Sequence, residues 1–328
     1  MLKTGKVPES VLKRSIIKQI RNRRDEIIIG AGVGEDCAAI EIADDEIFVT
    51  STDPITGTSH DIGALSVHVT ANDIASSGAE VIGVMLSVLL PEGTEESELK
   101  SIMAQVEEVC EKLNIQTVGG HTEVTNVVNQ TVITTTGIGK VKKDKLVTTS
   151  GAHPGDDVVV TKWIGLEGTS IIAKEKESEL QKRFSPSFIE TAKGFSDYLS
   201  VVEDAKIATS VGVSAMHDVT EGGIFGALWE IAAASGCGLE IELLDIPVRQ
   251  ETVEICELFG INPYGLISSG SMLITAPNGS DIVRQLKKAG INAAVIGKVT
   301  KGNDRLIING DEKRYLEPPA ADELYKVV

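Results

Sequence analysis

The chain has 328 residues, 42% of them hydrophobic and 4% aromatic, and carries 31 Lys and Arg against 48 Asp and Glu, a net charge of −17 with a pI near 4.8. A chain of this length buries a sizeable core in one or two domains. Its acidity repels phosphate backbones and anionic membranes, which excludes a general nucleic-acid or membrane-surface binder, so any phosphate it holds must be met by backbone N–H groups or by metal ions on its carboxylates.

Taken in order, residues 8–20 read as an amphipathic helix, with Pro8 near its start and Val11, Leu12, Ile16, Ile17 and Ile20 on one side. The start, M-L-K-T-G-K-V-P, has no apolar signal core, and no later run is long enough to span a bilayer, so a cytoplasmic protein is expected. A basic run from Arg21 to Arg24 precedes a short strand at Ile27–Ile29 and the glycine-rich stretch G-A-G-V-G at residues 30–34. Alternation over residues 39–42 and 47–51 predicts two antiparallel strands, the second running into S-T-D-P with Asp53 at its end. Residues 63–78 predict a helix that carries Asn72 and Asp73 near its end, where an Asp is either a local cap or a group aimed into a cleft. The apolar run 81–90 reads as a buried strand ended by Pro91. Thr94 is placed to cap a helix whose stripe is Ile102, Val106, Val109 and Leu113. Residues 115–118 form a short strand leading into the loop G-G-H-T-E-V-T, and a β-rich run over 131–141 closes this half.

Turn residues cluster at 150–156, which places a boundary between domains 1–149 and 150–328. The second half restarts with a strand at Asp157–Thr161 and a helix from G-L-E-G-T-S. A charged helical region follows over 175–210, and then a strand, loop and helix over 213–236, stopped by Gly236. The pattern is mixed α/β. Cys37, Cys110, Cys237 and Cys256 form no C-x-x-C pair and read as reduced thiols packed as small apolar residues.

Asp36, Asp53, Asp73 and Asp218 share one context, each at the junction of a loop with a regular element beside Gly, Ser or Thr. Several carboxylates around Mg²⁺ and phosphate is the arrangement an acidic protein needs to hold ATP. The glycine pairs at 119–120 and 222–223 are placed to offer N–H groups to phosphate oxygens. Each signal alone also fits a turn or a cap.

The motifs G-E-D-C-A-A-I, S-T-D, N-D-I-A-x-S-G-A, G-G-H-T-E, P-G-D-D-V-V-V and H-D-V-T-E-G-G occur in one order over most of the chain. In that order they resemble the superfamily of aminoimidazole ribonucleotide synthetase (PurM), the hydrogenase maturation factor HypE, selenophosphate synthetase and thiamine-monophosphate kinase. The stretches A-S-G-C-G-L-E-I-E and C-E-L-F-G-I-N-P are most similar to HypE. The resemblance implies a PurM-like two-domain fold whose N-terminal domains build a shared β-barrel in a homodimer. It also implies ATP and Mg²⁺ in a cleft between halves and subunits, and phosphorylation of an amide-type or small-metabolite oxygen, on a small-molecule or protein-borne substrate. By that resemblance Asp36, Asp53 and Asp73, with Glu123, would hold the metal, and Asn72, Gly119, Gly120 and Thr122 would line the nucleotide site. Thr220, Gly222 and Gly223 would contribute from the second half, with His121 and Asp218 as catalytic groups. A kinase like thiamine-monophosphate kinase and a non-catalytic nucleotide-binding dimer are the competing expectations.

Departures from HypE are legible. The chain ends D-E-L-Y-K-V-V rather than in a cysteine tail, so self-modification there is not expected, and L-K-T-G-K-V-P-E-S stands in place of the usual glycine-rich N-terminal segment. Ser269 stands where an acid is usual, and His121 replaces a carboxylate. A neutral imidazole is a poor Mg²⁺ ligand, so His121 is either an acid–base group or metal ligand in an altered site, or a hydrogen-bonding loop residue beside Glu123. His217 is open in the same way, Trp229 reads as core, His60 and His68 as surface or barrel residues, and Lys6 either reaches a phosphate or is solvated.

Overall fold

In the computed structural model, residues 2, 5–32, 37–56 and 61–328 are described. They divide into two compact units, the first formed by residues 1–74 and 79–146 and the second by residues 75–78 and 147–328. Asp36, Gly34 and His60 lie outside the described residues.

Unit 1 begins with β1 (Gly5–Lys6) and α1 (Glu9–Val11). The expected helix over 8–20 is irregular: α1 widens into a π-helical turn at Leu12–Ile16 and tightens into a 3₁₀ turn at Ile17–Gln19. The changes of pitch keep Val11, Ile16 and Ile20 buried. There follow β2 (Ile27–Ile29), β3 (Ala39–Ile40), β4 (Glu46–Ile55), α2 (Ile62–Ser76), β5 (Glu80–Pro91), α3 (Glu96–Leu113), β6 (Gln116–Thr125) and β7 (Val132–Lys142). Among the described residues the main sheet has the order β1-β6-β5-β7-β4, with β5 and β6 parallel and the rest antiparallel, while β2 and β3 pair separately.

The strands carry alternating side chains, one face covered by helices and the other open, as period-2 patterning requires. Phe48 of β4 and Met85 of β5 lie on the open face, 45% and 38% exposed. Helix α2 sits very close to β7, because a Cβ at Gly137 would meet the Thr70 methyl at 2.6 Å and one at Gly139 would meet Ile74 at 2.3 Å. Any larger residue at either position would lift α2, and with it Asp73, off the sheet. Thr94 is not a cap: Glu95 holds that position, and the Thr94 hydroxyl donates to the Pro91 carbonyl at 2.8 Å. Pro91 itself closes β5 rather than lying beyond it.

Unit 2 comprises β8 (Asp157–Thr161), α4 (Leu166–Glu175), α5 (Glu177–Leu180), α6 (Pro186–Lys193), α7 (Val202–Val211), β9 (Ala215–Val219), α8 (Gly223–Ser235), β10 (Gly238–Glu242), α9 (Gln250–Phe259), β11 (Ser271–Ala276), α10 (Gly279–Lys288), β12 (Ala293–Thr300), β13 (Arg305–Asn309) and β14 (Glu312–Tyr315). Its sheet has the order β14-β13-β10-β12-β8-β11-β9 and is mixed, since β10 and β13 are parallel and the other pairs antiparallel. Strand β11 is buried along its whole length, and α8 packs Ile224, Ala227, Leu228 and Ile231 into one core beside it. A left-handed Gly236 ends α8. Trp229 is partly buried on that core rather than inside it, under the Arg305 guanidinium at 4.0 Å from its ring. No described helix is long and apolar enough to cross a membrane.

Candidate functional site

A cleft of about 140 Å³ opens in unit 1, its apolar wall built from Leu12, Ile16, Ile17, Ile20 and Met103. Its other wall is polar backbone and short side chains: Lys6, Gly30, Gly32, Gly119, Gly120, His121 and Thr122. The sequence placed 119–122 in a loop. In the structure they continue β6, paired to β5 as far as Thr125. A register shift after Val84 absorbs one residue at Val118, and Gly120 then takes φ +148°. A Cβ on Gly120 would stand 2.1 Å from the Leu86 carbonyl oxygen, so glycine there is a requirement of the strand pair. Gly119 is less constrained, its Cβ meeting only Met85, at 3.9 Å, among the described residues.

Past the glycines, alternation puts His121 and Glu123 on the open face and buries Thr122 behind them. The His121 ring nitrogen Nε2 lies 3.1 Å from Glu123 Oε2, so the imidazole is held by the neighbouring carboxylate. Cys37 is exposed and borders the same cleft, unlike the three buried thiols.

Asp53 and Asp73 are brought together by a residue that the sequence did not single out. The Ser51 hydroxyl lies 2.5 Å from Asp73 Oδ2 and 3.3 Å from Asp53 Oδ2. The two carboxylate oxygens therefore stand no farther apart than the sum of those distances. Asn72, fully buried, precedes Asp73 on α2. Among the described residues no three His, Cys, Asp or Glu side chains form a ready-made metal cluster. In register, Asp53 pairs with Thr135, Thr135 with Leu86, and Leu86 with Gly120. With neighbouring strands about 4.8 Å apart, the carboxylates and the glycine wall stand roughly 14 Å from one another across one sheet.

The wall carrying Gly30 and Gly32 is fastened to the sheet by charge. Arg24, its side chain 7% exposed, donates to Glu26 and to Glu80 at 2.7 Å each, and Lys140 reaches Glu26 at 2.7 Å. The Arg24 bonds, opposed by partial burial and helped by Lys140, hold the Glu26 carboxyl down at about 2. Buried Glu107 of α3 accepts the backbone N–H groups of Arg21 and Asn22, and Gln116 accepts that of Arg24 at 2.7 Å.

In unit 2 the segments G-L-E-G, H-D-V-T-E-G-G and S-S-G meet. Asp218 lies one residue before the end of β9, 5% exposed, with Oδ1 3.6 Å from His217 Nδ1 and with Oδ2 buried and accepting no hydrogen bond among the described residues. Burial favours a neutral His217 ring, but its contacts with Asp218 and with Glu230 at 3.1 Å outweigh this and lift it to about 10, so His217 is an imidazolium at neutral pH. Glu167, in the first turn of α4 and 4% exposed, is a residue that the sequence reading missed. Burial pushes its carboxyl up to about 7, the Ser269 side chain and N–H pull the other way, and the like charges of Asp322 and Asp218 add to the rise. The Ser269 N–H donates to Glu167 at 3.3 Å, so a carboxyl from α4 reaches the position where the expected acid is a serine.

Gly222 and Gly223 do not act as the free phosphate donors that the sequence suggested. The Gly222 N–H donates to Asp322 at 2.7 Å and the Gly223 N–H to the Thr220 carbonyl at 3.0 Å. The glycines serve geometry instead: φ is +81° and +60°, and a Cβ on Gly223 would lie 2.6 Å from the Tyr264 carbonyl oxygen. Thr220 lies between Asp218 and this turn.

Two domain models of one family match the chain, AIR synthase related protein N-terminal domain over residues 34–141 and C-terminal domain over residues 153–309. A Methanocaldococcus jannaschii protein named for hydrogenase expression/formation is 28% identical over 98% of this chain and 97% of its own length. The carbamoyl dehydratase HypE of Rhodobacter capsulatus is 28% identical over 82% of this chain and 77% of its own. A crystal structure of the hydrogenase maturation protein HypE in complex with ATP superposes with a TM-score of 0.81 at 21% identity, covering 100% of this chain and 98% of that one. With both halves matched in order and the mixed α/β architecture shared, the chain belongs to the AIR synthase related family and has the PurM-like fold of HypE.

Proposed function

We propose that the protein is an ATP-dependent phosphoryl-transfer enzyme that activates an amide-type oxygen, with the nucleotide held in unit 1. The observation that carries this is the unit 1 cleft, where Gly30, Gly32, Gly119 and Gly120 bring backbone close to the opening beside Lys6, in a chain too acidic to hold phosphate by surface charge. A relative named carbamoyl dehydratase and a fold neighbour solved with ATP support the same reading.

Asp53 and Asp73 are the carboxylates that would hold Mg²⁺, oriented by Ser51, with Asp36 as the third candidate from sequence. Bound there, the ion would neutralise charge on the triphosphate. The apolar wall of the cleft suits an adenine ring, and Lys6 a phosphate oxygen. The open sheet face with Phe48 and Met85 is the surface by which two copies would close a shared barrel.

The test has two parts. Saturating ATP with Mg²⁺ should raise the melting temperature, since ligand at a hundred times its Kd adds about 2.7 kcal/mol of stability. A short peptide ending in S-carbamoylcysteine should then release ADP. Protein that melts at the same temperature with and without ATP has no nucleotide site, whereas binding without ADP release from any amide tried identifies a nucleotide-binding dimer rather than an enzyme.

A further inference from the structure

We propose that the cavity under the C-terminal strap of unit 2 binds a small monocarboxylate with a flat apolar body, held by the Arg314 guanidinium. The inference stands apart from the function proposed above, because the site lies wholly within unit 2 and its test needs no phosphoryl transfer.

Strands β13 and β14 lay one face toward α8. Ile307 and Arg314 stand directly opposite each other in register, so their side chains share that face, and Ile307 belongs to the core that α8 packs into. Phe225 and Trp229 lie one turn apart on α8, and each meets an arginine. At Trp229 the contact is close, with the Arg305 guanidinium 4.0 Å from the ring centroid. At Phe225 the Arg314 guanidinium stands off at 5.6 Å, while Tyr264 stacks on the ring at 5.2 Å. A cavity of about 500 Å³ opens at this end, with Phe225, Ile307, Arg314 and Leu316 in its lining. Its outer wall is the strap of residues 317–321, exposed throughout and tied at both ends by buried residues. At one end the Leu316 N–H donates to the Arg305 carbonyl at 2.8 Å, and at the other Asp322 accepts three N–H groups. Two adjacent prolines, Pro318 and Pro319, stiffen the strap between those ties, so it bridges the space instead of collapsing into it.

The lining sets the chemistry of the ligand. Arg14, Arg24, Arg249 and Arg284 each reach a carboxylate within 3.3 Å, but Arg314 has no ion pair among the described residues. In a chain of net charge −17, a guanidinium left without a carboxylate beside a cavity is a place for a ligand's anion. A planar carboxylate matches its fork in two parallel N–H···O bonds. Asn262 adds a second donor, because its side-chain oxygen accepts the Tyr264 N–H and leaves its NH₂ for the cavity it lines. Two acids in the lining limit the charge that fits. Glu323 is taken up by Lys326 at 2.7 Å and by the Asn262 N–H at 3.2 Å. Glu317 has no ion pair among the described residues and repels a second negative charge, which disfavours a diphosphate or triphosphate. The rest of the lining, Phe225, Ile307, Leu316 and the two prolines, offers apolar surface to a hydrocarbon body, and the volume lies in the range of roughly 300–1,000 Å³ that small-molecule sites occupy.

The experiment titrates phenylacetate and its neutral counterpart phenylacetamide into the full-length protein, followed by saturation-transfer NMR. Wild type is expected to bind the acid about tenfold more tightly than the amide, the difference that hydrogen bonds between charged groups make. Arg314→Met keeps a stem over Phe225 and removes the charge, so it should bind the two alike, at the affinity wild type shows for the amide. Equal binding of acid and amide by wild type overturns the proposal, as does acid binding that Arg314→Met leaves untouched or an acid that does not bind at all. ADP should fail to displace phenylacetate; displacement would place the probe in a nucleotide site and also overturns the proposal. Should Arg314→Met not fold, Ala320→Trp carries the test. An indole on the strap fills the cavity and should abolish binding of the acid, whereas unchanged binding rejects the site.

Discussion

The Asp322 carboxylate accepts the Gly222 N–H at 2.7 Å, tying together residues 100 positions apart in the chain. It also accepts N–H groups from Ile267 at 3.2 Å and Leu324 at 2.8 Å, so one side chain satisfies donors on three segments around Asp218. Asp322→Ala strands those donors at a cost of roughly 3–5 kcal/mol, given about 1–3 kcal/mol for each buried unpaired group and partial relaxation. Urea unfolding measures the loss, and the Gly222 and Ile267 amides should exchange with solvent faster. A variant with wild-type stability would show that the C-terminal segment is not a tie.

Ser51 contributes differently from the carboxylates it joins. Ser51→Ala removes a single neutral hydroxyl and should cost about 1 kcal/mol of stability. It should also leave most of the Mg²⁺-dependent part of the ATP melting shift intact. Asp53→Asn and Asp73→Asn should each abolish that part while leaving the fold in place. Melting curves with ATP plus Mg²⁺ against ATP plus EDTA separate the cases. Equal Mg²⁺ dependence in all three variants would remove Asp53 and Asp73 from the metal site.

The two adjacent glycines of β6 should respond in opposite ways. Gly120→Ala puts a methyl group 2.1 Å from the Leu86 carbonyl oxygen in a backbone conformation that alanine avoids, so the β5–β6 ladder must break and the protein should lose several kcal/mol or fail to fold. Among the described residues Gly119→Ala meets only Met85, at 3.9 Å, and it should fold normally. Because Gly119 borders the cleft, its variant should bind ATP more weakly, measured by isothermal titration. Unchanged affinity would move the nucleotide away from this wall.

Stability should also depend on pH through Glu167. Its carboxyl is raised from an ordinary 4.5 to about 7, so across that window the native protein holds a proton that the unfolded chain has released. Stability therefore falls as pH rises from about 4.5 to 7, by roughly 3 kcal/mol at most, and the loss is complete above 7. Glu167→Gln lacks this slope. It should be more stable than wild type on the alkaline side of 7 and no more stable below 4.5. His217, raised from 6.5 to about 10, adds a second decline between those values that the glutamine variant retains. Parallel stability curves for the two proteins would show that Glu167 is not a buried ionisable group.

Much of the scaffold was legible in the residues. The stripe on α3, the buried run of β5 and the glycine stop of α8 follow from side-chain periodicity and local backbone preference, which depend on near neighbours. Ser51 was legible too, had its position two residues before Asp53 on one strand been read as a shared face. Glu167 was not. Nothing adjacent in the chain marks it as buried, and its neighbours Asp218, Ser269 and Asp322 come from three other segments.

By itself the sequence determined the mixed α/β class, the order of the elements, the family, and the candidate Asp53, Asp73 and Asp218, because patterning and motif order are properties of the chain alone. Only the tertiary structure decided how the polar groups are spent: the Gly222 amide goes to Asp322, Asp218 Oδ2 is left with none, and Glu167 sits at about 7. The physical reason is that a hydrogen bond and a desolvation cost each depend on which distant segments surround a group, and that is set only when the chain closes on itself.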